Sequence, residues 1–96
     1  MIETLSFEFS SSDTIARRSH VGVVASGNCE ILFEPAEDRA TVVVRTSVAG
    51  FRATWNAVLQ RFFARNPVGA RVEINDFGAT PAVVALRLEQ ALESAR

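Results

Sequence analysis

The apolar period of this chain changes once, near Gly50, and that change limits the fold more than any single motif does. Ahead of it, Leu5, Phe7 and Phe9 alternate with Thr4, Ser6 and Glu8, the period of two that marks a strand with one buried face. Val42, Val44, Thr46 and Val48 alternate with Thr41, Val43, Arg45 and Ser47 in the same way. Behind it, Phe51, Trp55, Val58, Leu59 and Phe62 fall on one stripe of a helix. A segment patterned for one period does not settle in the other, so strands fill the first half and a helix opens the second.

Two further strand-like runs, Val21 to Ala25 and Cys29 to Phe33, flank Ser26-Gly27-Asn28. Glycine and asparagine tolerate the positive φ angles of a two-residue hairpin turn, so Gly27-Asn28 reads as the turn and Ser26 as the residue leading into it. Its hydroxyl then faces solvent beside a residue without a side chain. Ser10 to Thr14 is a polar loop, and Glu34-Pro35-Ala36-Glu37-Asp38-Arg39 interrupts any strand and favours a turn. Asn66-Pro67-Val68-Gly69 stops the first helix, and a short strand follows from Ala70 to Ile74 with Val72 and Ile74 inward. Thr80-Pro81 then supplies an N-cap and a proline at the first helical position. The stripe of that last helix is Val84, Leu88, Ala91, Leu92 and Ala95.

The order ββββαβα with hairpin-linked strands predicts an α+β fold: a two-layer sandwich, its mainly antiparallel sheet of about five strands covered on one face by two helices. A chain of 96 residues, 48% of them apolar, fits a single domain over 1–96 that buries roughly 60–65% of its unfolded surface. Trp55→Ala on the helix stripe should cost about 3–5 kcal/mol as a core truncation.

Charge and cysteine usage exclude several function classes. The net charge is -1, and the ten basic residues are all arginine and scattered, with only Arg17-Arg18 adjacent. That gives no electrostatic footprint for nucleic acid or an anionic membrane. A single cysteine rules out an internal disulfide and the usual multi-cysteine zinc patterns, which favours a reducing, cytoplasmic setting. No charged-then-apolar leader opens the chain, and no apolar run approaches the roughly 18–20 residues of a spanning helix, so the expectation is a protein that is neither exported nor membrane-bound.

The candidate chemistry is sparse. Ser26 lacks an adjacent base to take its proton, and on local sequence a turn serine bonding its own backbone explains it. His20 reads as a strand-end surface residue, and with one histidine there is no helical metal-ligand spacing. Cys29 follows the turn, where a strand cysteine is ordinarily a small buried hydrophobe, although a thiolate paired with His20 is an alternative. Asp76-Phe77-Gly78 reproduces the kinase metal-binding triplet without the rest of that machinery, and reads as a strand-to-helix connection. Glu37-Asp38 and Arg17-Arg18 suit solvated loops, the arginines also a phosphate or a partner's acid. Leu86 and Val83 fall off the last helix's stripe, which fits either a docking surface or ordinary single exposed apolar residues.

The pattern as a whole resembles a known family, the small acyl carrier (δ) subunit of biotin-independent malonate decarboxylase. The residues that carry the resemblance are Glu3-Thr4-Leu5-Ser6-Phe7-Glu8-Phe9, Val21-Gly22-Val23-Val24 leading to Ser26-Gly27, and Arg45-Thr46-Ser47-Val48 with Gly50-Phe51. It continues through Trp55, Val58-Leu59 and Arg61-Phe62-Phe63-Ala64-Arg65, and ends on Ile74-Asn75-Asp76-Phe77-Gly78-Ala79-Thr80-Pro81 and Val84-Ala85-Leu86-Arg87-Leu88-Glu89-Gln90-Ala91. A shorter likeness around Ser26-Gly27 extends to the acyl carrier (γ) subunit of citrate lyase.

The resemblance implies that Ser26 carries 2'-(5''-phosphoribosyl)-3'-dephospho-CoA through a phosphodiester bond, with Gly27 and Asn28 supporting the attachment turn. The family motif continues with aspartate where this chain has Asn28, so the turn is kept and one negative charge is lost. It also implies a carrier and not a catalyst: the arm's thiol is acetylated, exchanged to malonyl and decarboxylated back to acetyl by partners. Those partners are the acyl-transferase (α) and decarboxylase (β and γ) subunits, a prosthetic-group transferase and a malonyl transferase. A non-catalytic interaction module, a thiol enzyme using Cys29 with His20, and a citrate-lyase-like carrier are the alternatives.

Overall fold

In the computed structural model, which describes residues 2–96, the chain forms β1 (Glu3–Ser10), β2 (Asp13–Thr14), β3 (Ser19–Gly22), β4 (Asn28–Pro35) and β5 (Arg39–Thr46). These are followed by α1 (Arg52–Arg65), β6 (Val68–Phe77) and α2 (Pro81–Ala95). The sheet runs β1-β5-β6-β4-β3, with β2 pairing β6 off that path. Three pairs, β1·β5, β3·β4 and β4·β6, are antiparallel, while β5 and β6 are parallel and joined by α1. The α+β class and the mainly antiparallel sheet stand as expected from the sequence, with the two-residue β2 as an addition.

Alternation lines up across the strands and sets where the core lies. Leu5 pairs with Val44, Val44 with Ile74, Ile74 with Ile31, and Ile31 with Val21, a row on one face of the sheet. Phe7, Val42, Val72 and Phe33 form the next row. Both rows are closed over by the helices: α2 lies against β3 and β4, and α1 against β1 and α2. The opposite face carries Arg45 paired to Glu73, Arg71 to Glu34 and His20 to Glu30. One face of the sheet is therefore dry and the other solvated, the usual division in an antiparallel sheet.

The last helix matches its sequence signals residue for residue. Thr80 is its N-cap, the Thr80 hydroxyl accepting from the Val83 N–H at 3.3 Å, Pro81 opens it, and Val84, Leu88, Ala91, Leu92 and Ala95 are buried. The first helix departs from expectation at its start. Phe51 stands before the helix as a cap without a side-chain bond and is 51% exposed, so it is not in the core. Phe63, one residue past the expected stripe, is buried instead and stacks on Phe9 with ring centroids 5.0 Å apart. Burying both Phe62 and Phe63 lets α1 meet the sheet and β1 together.

Three further expectations are corrected. β6 is a ten-residue strand at the centre of the sheet, not a short one ending at Ile74. Both its sides are paired, which holds Asn75 and Asp76 extended although they are poor strand formers. Val48 lies beyond β5 and is 38% exposed. Finally, only β3 and β4 form a hairpin, because β6 inserts between β4 and β5.

Candidate functional site

Ser26 sits at the apex of the β3–β4 connection and is exposed. The Asn28 N–H donates to the Ala25 carbonyl at 2.9 Å, and Gly27 has φ 74°. Positive φ only at the third residue is the type II pattern, so Ser26 and Gly27 are the central residues of the turn. The expected placement, with Gly27-Asn28 central and Ser26 leading in, is off by one residue. A turn at Gly27-Asn28 would pair Ala25 with Glu30, whereas Gly22 holds that place. Gly22 has φ 81°, and a Cβ there would lie 2.1 Å from the Cys29 carbonyl oxygen. Only glycine fits, and it ends β3 early, which releases Val23, Val24 and Ala25 into the connection.

The other side of the turn is held by β6. Asn28 pairs with Phe77, Cys29 pairs with Asp76, and the Gly27 N–H donates to the Phe77 carbonyl at 2.7 Å. The bonds that fix the turn thus come from Ala25, Gly27, Asn28 and Phe77, and leave the Ser26 hydroxyl outside them. A serine is presented to solvent on a turn anchored at one flank to the central strand.

Beneath it lies a residue that sequence reading missed. Asn28 Oδ1 accepts from the Cys29 N–H at 2.8 Å and from Arg87 Nε at 3.3 Å. Arg87 also donates to Gln90 Oε1 at 2.8 Å, and none of the ion pairs among the described residues uses it. The available signal was its place on α2: an arginine flanking buried Leu88 must turn its guanidinium along the helix edge, toward whatever element is packed there. That element is the start of β4.

Asp76 is buried under the same end of the sheet. It accepts from Thr46 Oγ1 at 2.8 Å, from the Ala79 N–H at 3.0 Å and from the Gly78 N–H at 3.3 Å. Asp76 and Phe77 are the last residues of β6, and the carboxylate ties the strand to the start of α2, a structural use of the triplet.

The structure separates Cys29 from His20. Cys29 faces the core and is wholly buried, and burial, with the nearby Asp76 charge, pushes its thiol up to about 11 against a smaller opposing effect of Arg87. His20 lies on the solvated face, its Nε2 2.9 Å from Glu30 Oε2. Hydrogen bonds from Asn75 and His20 hold the Glu30 carboxyl below its usual range. Near neutral pH the thiol keeps its proton, and His20 is held by Glu30 on the solvated face instead.

The remaining candidates lie elsewhere. The Arg17 N–H bonds the Ala95 carbonyl at 3.1 Å, at the C-terminal end of α2 and about 12 Å along the helix from Arg87, which touches the turn. Glu37 and Asp38 are exposed in the β4–β5 connection. A groove of about 640 Å³ crosses the solvated face between His20, Glu34 and Arg71, whose charges are already paired. Among the described residues no group of three or more His, Cys, Asp or Glu could hold a metal, and no helix is long and apolar enough to cross a membrane.

The fold and site define a small domain that presents a serine on an anchored turn and holds no acid-base pair beside it. The chain belongs to the malonate decarboxylase delta subunit family, whose pattern matches residues 16–95. It is 49% identical over 94 residues to the malonate decarboxylase acyl carrier protein of Azotobacter vinelandii, covering 96% of this chain and 95% of that one. It is 58% identical over 76 residues to the protein of the same name from Xanthomonas euvesicatoria, covering 76% and 72%. A chain in the crystal structure of a Pseudomonas malonate decarboxylase hetero-tetramer in complex with malonate superimposes with a TM-score of 0.94 at 42% identity, over 99% of this chain and 100% of that one.

Proposed function

We propose that this chain is the acyl carrier subunit of a malonate decarboxylase and that Ser26 is the attachment point of 2'-(5''-phosphoribosyl)-3'-dephospho-CoA. The observation that carries this reading is the geometry of Ser26, exposed at the apex of a turn whose own bonds leave its hydroxyl free. The residues present suit such a group. A transferase has open access, since no atom beyond the adjoining residues lies within 4 Å of where a Gly27 Cβ would stand. Arg87, two residues away through Asn28, supplies a cation without a carboxylate partner, suited to a phosphodiester. Because Asn28 is neutral, that charge is not already neutralised from the turn.

When bound, the group supplies a thiol on which acetyl and malonyl are held as thioesters. The chain itself contributes position. β6 fixes the base of the turn, and tethering keeps the cargo at a roughly millimolar effective concentration near partner active sites. Donors for the enolate charge of decarboxylation must come from larger subunits with a dry, preorganised site. The proposed partners are the acyl-transferase (α) and decarboxylase (β and γ) subunits, with a prosthetic-group transferase and a malonyl transferase acting on the carrier. The solved relative's place in a hetero-tetramer supports this, and the single buried cysteine supports a cytoplasmic setting.

The test is intact mass after coexpression with the cognate prosthetic-group synthase and transferase. Wild type should gain one arm-sized increment and Ser26→Ala none. A wild-type chain that gains nothing, or a Ser26→Ala chain that gains the same mass, sinks the assignment.

A further inference from the structure

The end of the sheet that carries Ser26 also holds a cleft that attachment at the turn does not use. It opens between the start of α1 and the start of α2 and has a volume of about 400 Å³. That lies within the roughly 300–1,000 Å³ of small-molecule sites. Trp55, Val58 and Val84 line it, with the exposed Phe51 at its edge. Gly78 joins cleft to turn: it lines the cleft and bridges Asn28, two residues from Ser26. Only one charged side chain, Asp76, reaches the lining, and its three hydrogen-bond donors are Thr46, Gly78 and Ala79. The cleft is thus apolar, anionic at one point and without a cation.

We infer that this cleft shelters the neutral acetyl-thioester end of an arm attached at Ser26 and turns away the malonyl form. The inference rests on the carrier reading above. A methyl and a thioester sulfur gain from leaving water for Trp55 and Val84, and a weak site suffices because the tether holds the ligand at a roughly millimolar local concentration. The malonyl end carries a free carboxylate. In the cleft it would lose its hydration, meet Asp76 as a like charge and find no arginine, an arrangement that is strongly disfavoured. The cleft therefore withdraws the acetyl form from hydrolysis and leaves the malonyl form extended toward a decarboxylating partner.

Trp55 is the one tryptophan of the chain, so its emission reports on the cleft directly. The experiment uses coexpressed, arm-bearing protein verified by intact mass, prepared in free-thiol, acetyl and malonyl forms, with thioester cleavage by hydroxylamine measured against free acetyl-CoA and malonyl-CoA. The acetyl form should shift the Trp55 emission and cleave about threefold slower than acetyl-CoA, as a tethered ligand that spends most of its time in the site would. The malonyl form should do neither. Thr54→Leu, at an exposed helix position lining the cleft, should narrow it and speed cleavage of the acetyl form toward the free rate, with circular dichroism confirming the fold. An acetyl form that cleaves as fast as acetyl-CoA with unchanged emission overturns the inference, as does equal protection of acetyl and malonyl. If intact mass shows no arm, the carrier reading itself has failed and the inference falls with it.

Discussion

The two ends of the sheet meet water with opposite chemistry. At the end marked by Thr46, Asp76 and Cys29, the side chains of Ile2, Val23, Val24, Val48 and Phe51 are all exposed. At the other end the chain turns through Glu37, Asp38 and Arg39, and Arg39 is paired with Glu8 at 2.9 Å. Both ends close the same core, so packing does not account for the difference. Single exposed apolar residues are ordinary, but five of the six large ones among the described residues share the serine end. Interface centres are depleted in charge in this way. The serine end thus gathers the exposed large apolar side chains, and the opposite end carries charged ones.

The largest test asks whether the ends also differ beneath the surface. Trp55 and Phe63 are buried at opposite ends of α1, one beside the cleft and one against Phe9. Each replaced by alanine should lose about 3–5 kcal/mol in denaturant melts. Equal losses confine the contrast to the surface, whereas a Trp55→Ala loss below about 1 kcal/mol would mean that the serine end is loosely packed throughout.

Next comes alkaline stability, which concerns the serine end alone. The folded Cys29 thiol titrates at about 11 against 9.0 for an ordinary one, so the folded state keeps its proton where the unfolded chain has lost it. Stability is then unaffected below pH 9 and falls between about 9 and 11, by about 2–3 kcal/mol for a difference of this size. Cys29→Ala should flatten that fall, and alkylation of folded wild type at pH 8 should be far slower than in urea. Gly22→Ala is expected to cost at least about 1–3 kcal/mol from its positive φ, with the clash on the Cys29 carbonyl added to that. A neutral result would show that β3 can run further than Gly22 and the turn can shift.

What the sequence made legible was what is local. Thr80, Pro81 and the stripe from Val84 to Ala95 depend on neighbours within a few residues, and each stands where the pattern put it. Ser26 was legible as an exposed turn residue for the same reason. The one-residue error in the turn arose because its register is set by Phe77 and Asp76, about fifty residues away, through pairings with Asn28 and Cys29. Phe51 was misplaced because a helical stripe shows the period and not the first turn, where no cap residue marks the start. Arg87 was readable only as an edge residue of α2, because its meaning lies in a contact between α2 and β4.

The smallest expected effect on stability is the most direct probe of the contrast between the ends. Val24 and Phe51 are each about half exposed, at 51%, so Val24→Ser with Phe51→Ser should shift melting by only about 1 kcal/mol per site, half of what a fully buried apolar side chain contributes. Their cost should appear in assembly as well. Measured by titration against the proposed decarboxylase partners, the double variant should bind about tenfold more weakly, as loss of more than 1 kcal/mol at an interface centre implies. Glu37→Ala with Asp38→Ala, at the charged end, should change neither quantity, because those carboxylates stay in water in both states. If the two double variants bind alike, the apolar serine end does not meet the partner through these residues. If only the charged-end variant weakens binding, the polarity of the molecule is the reverse of the one argued from its surface.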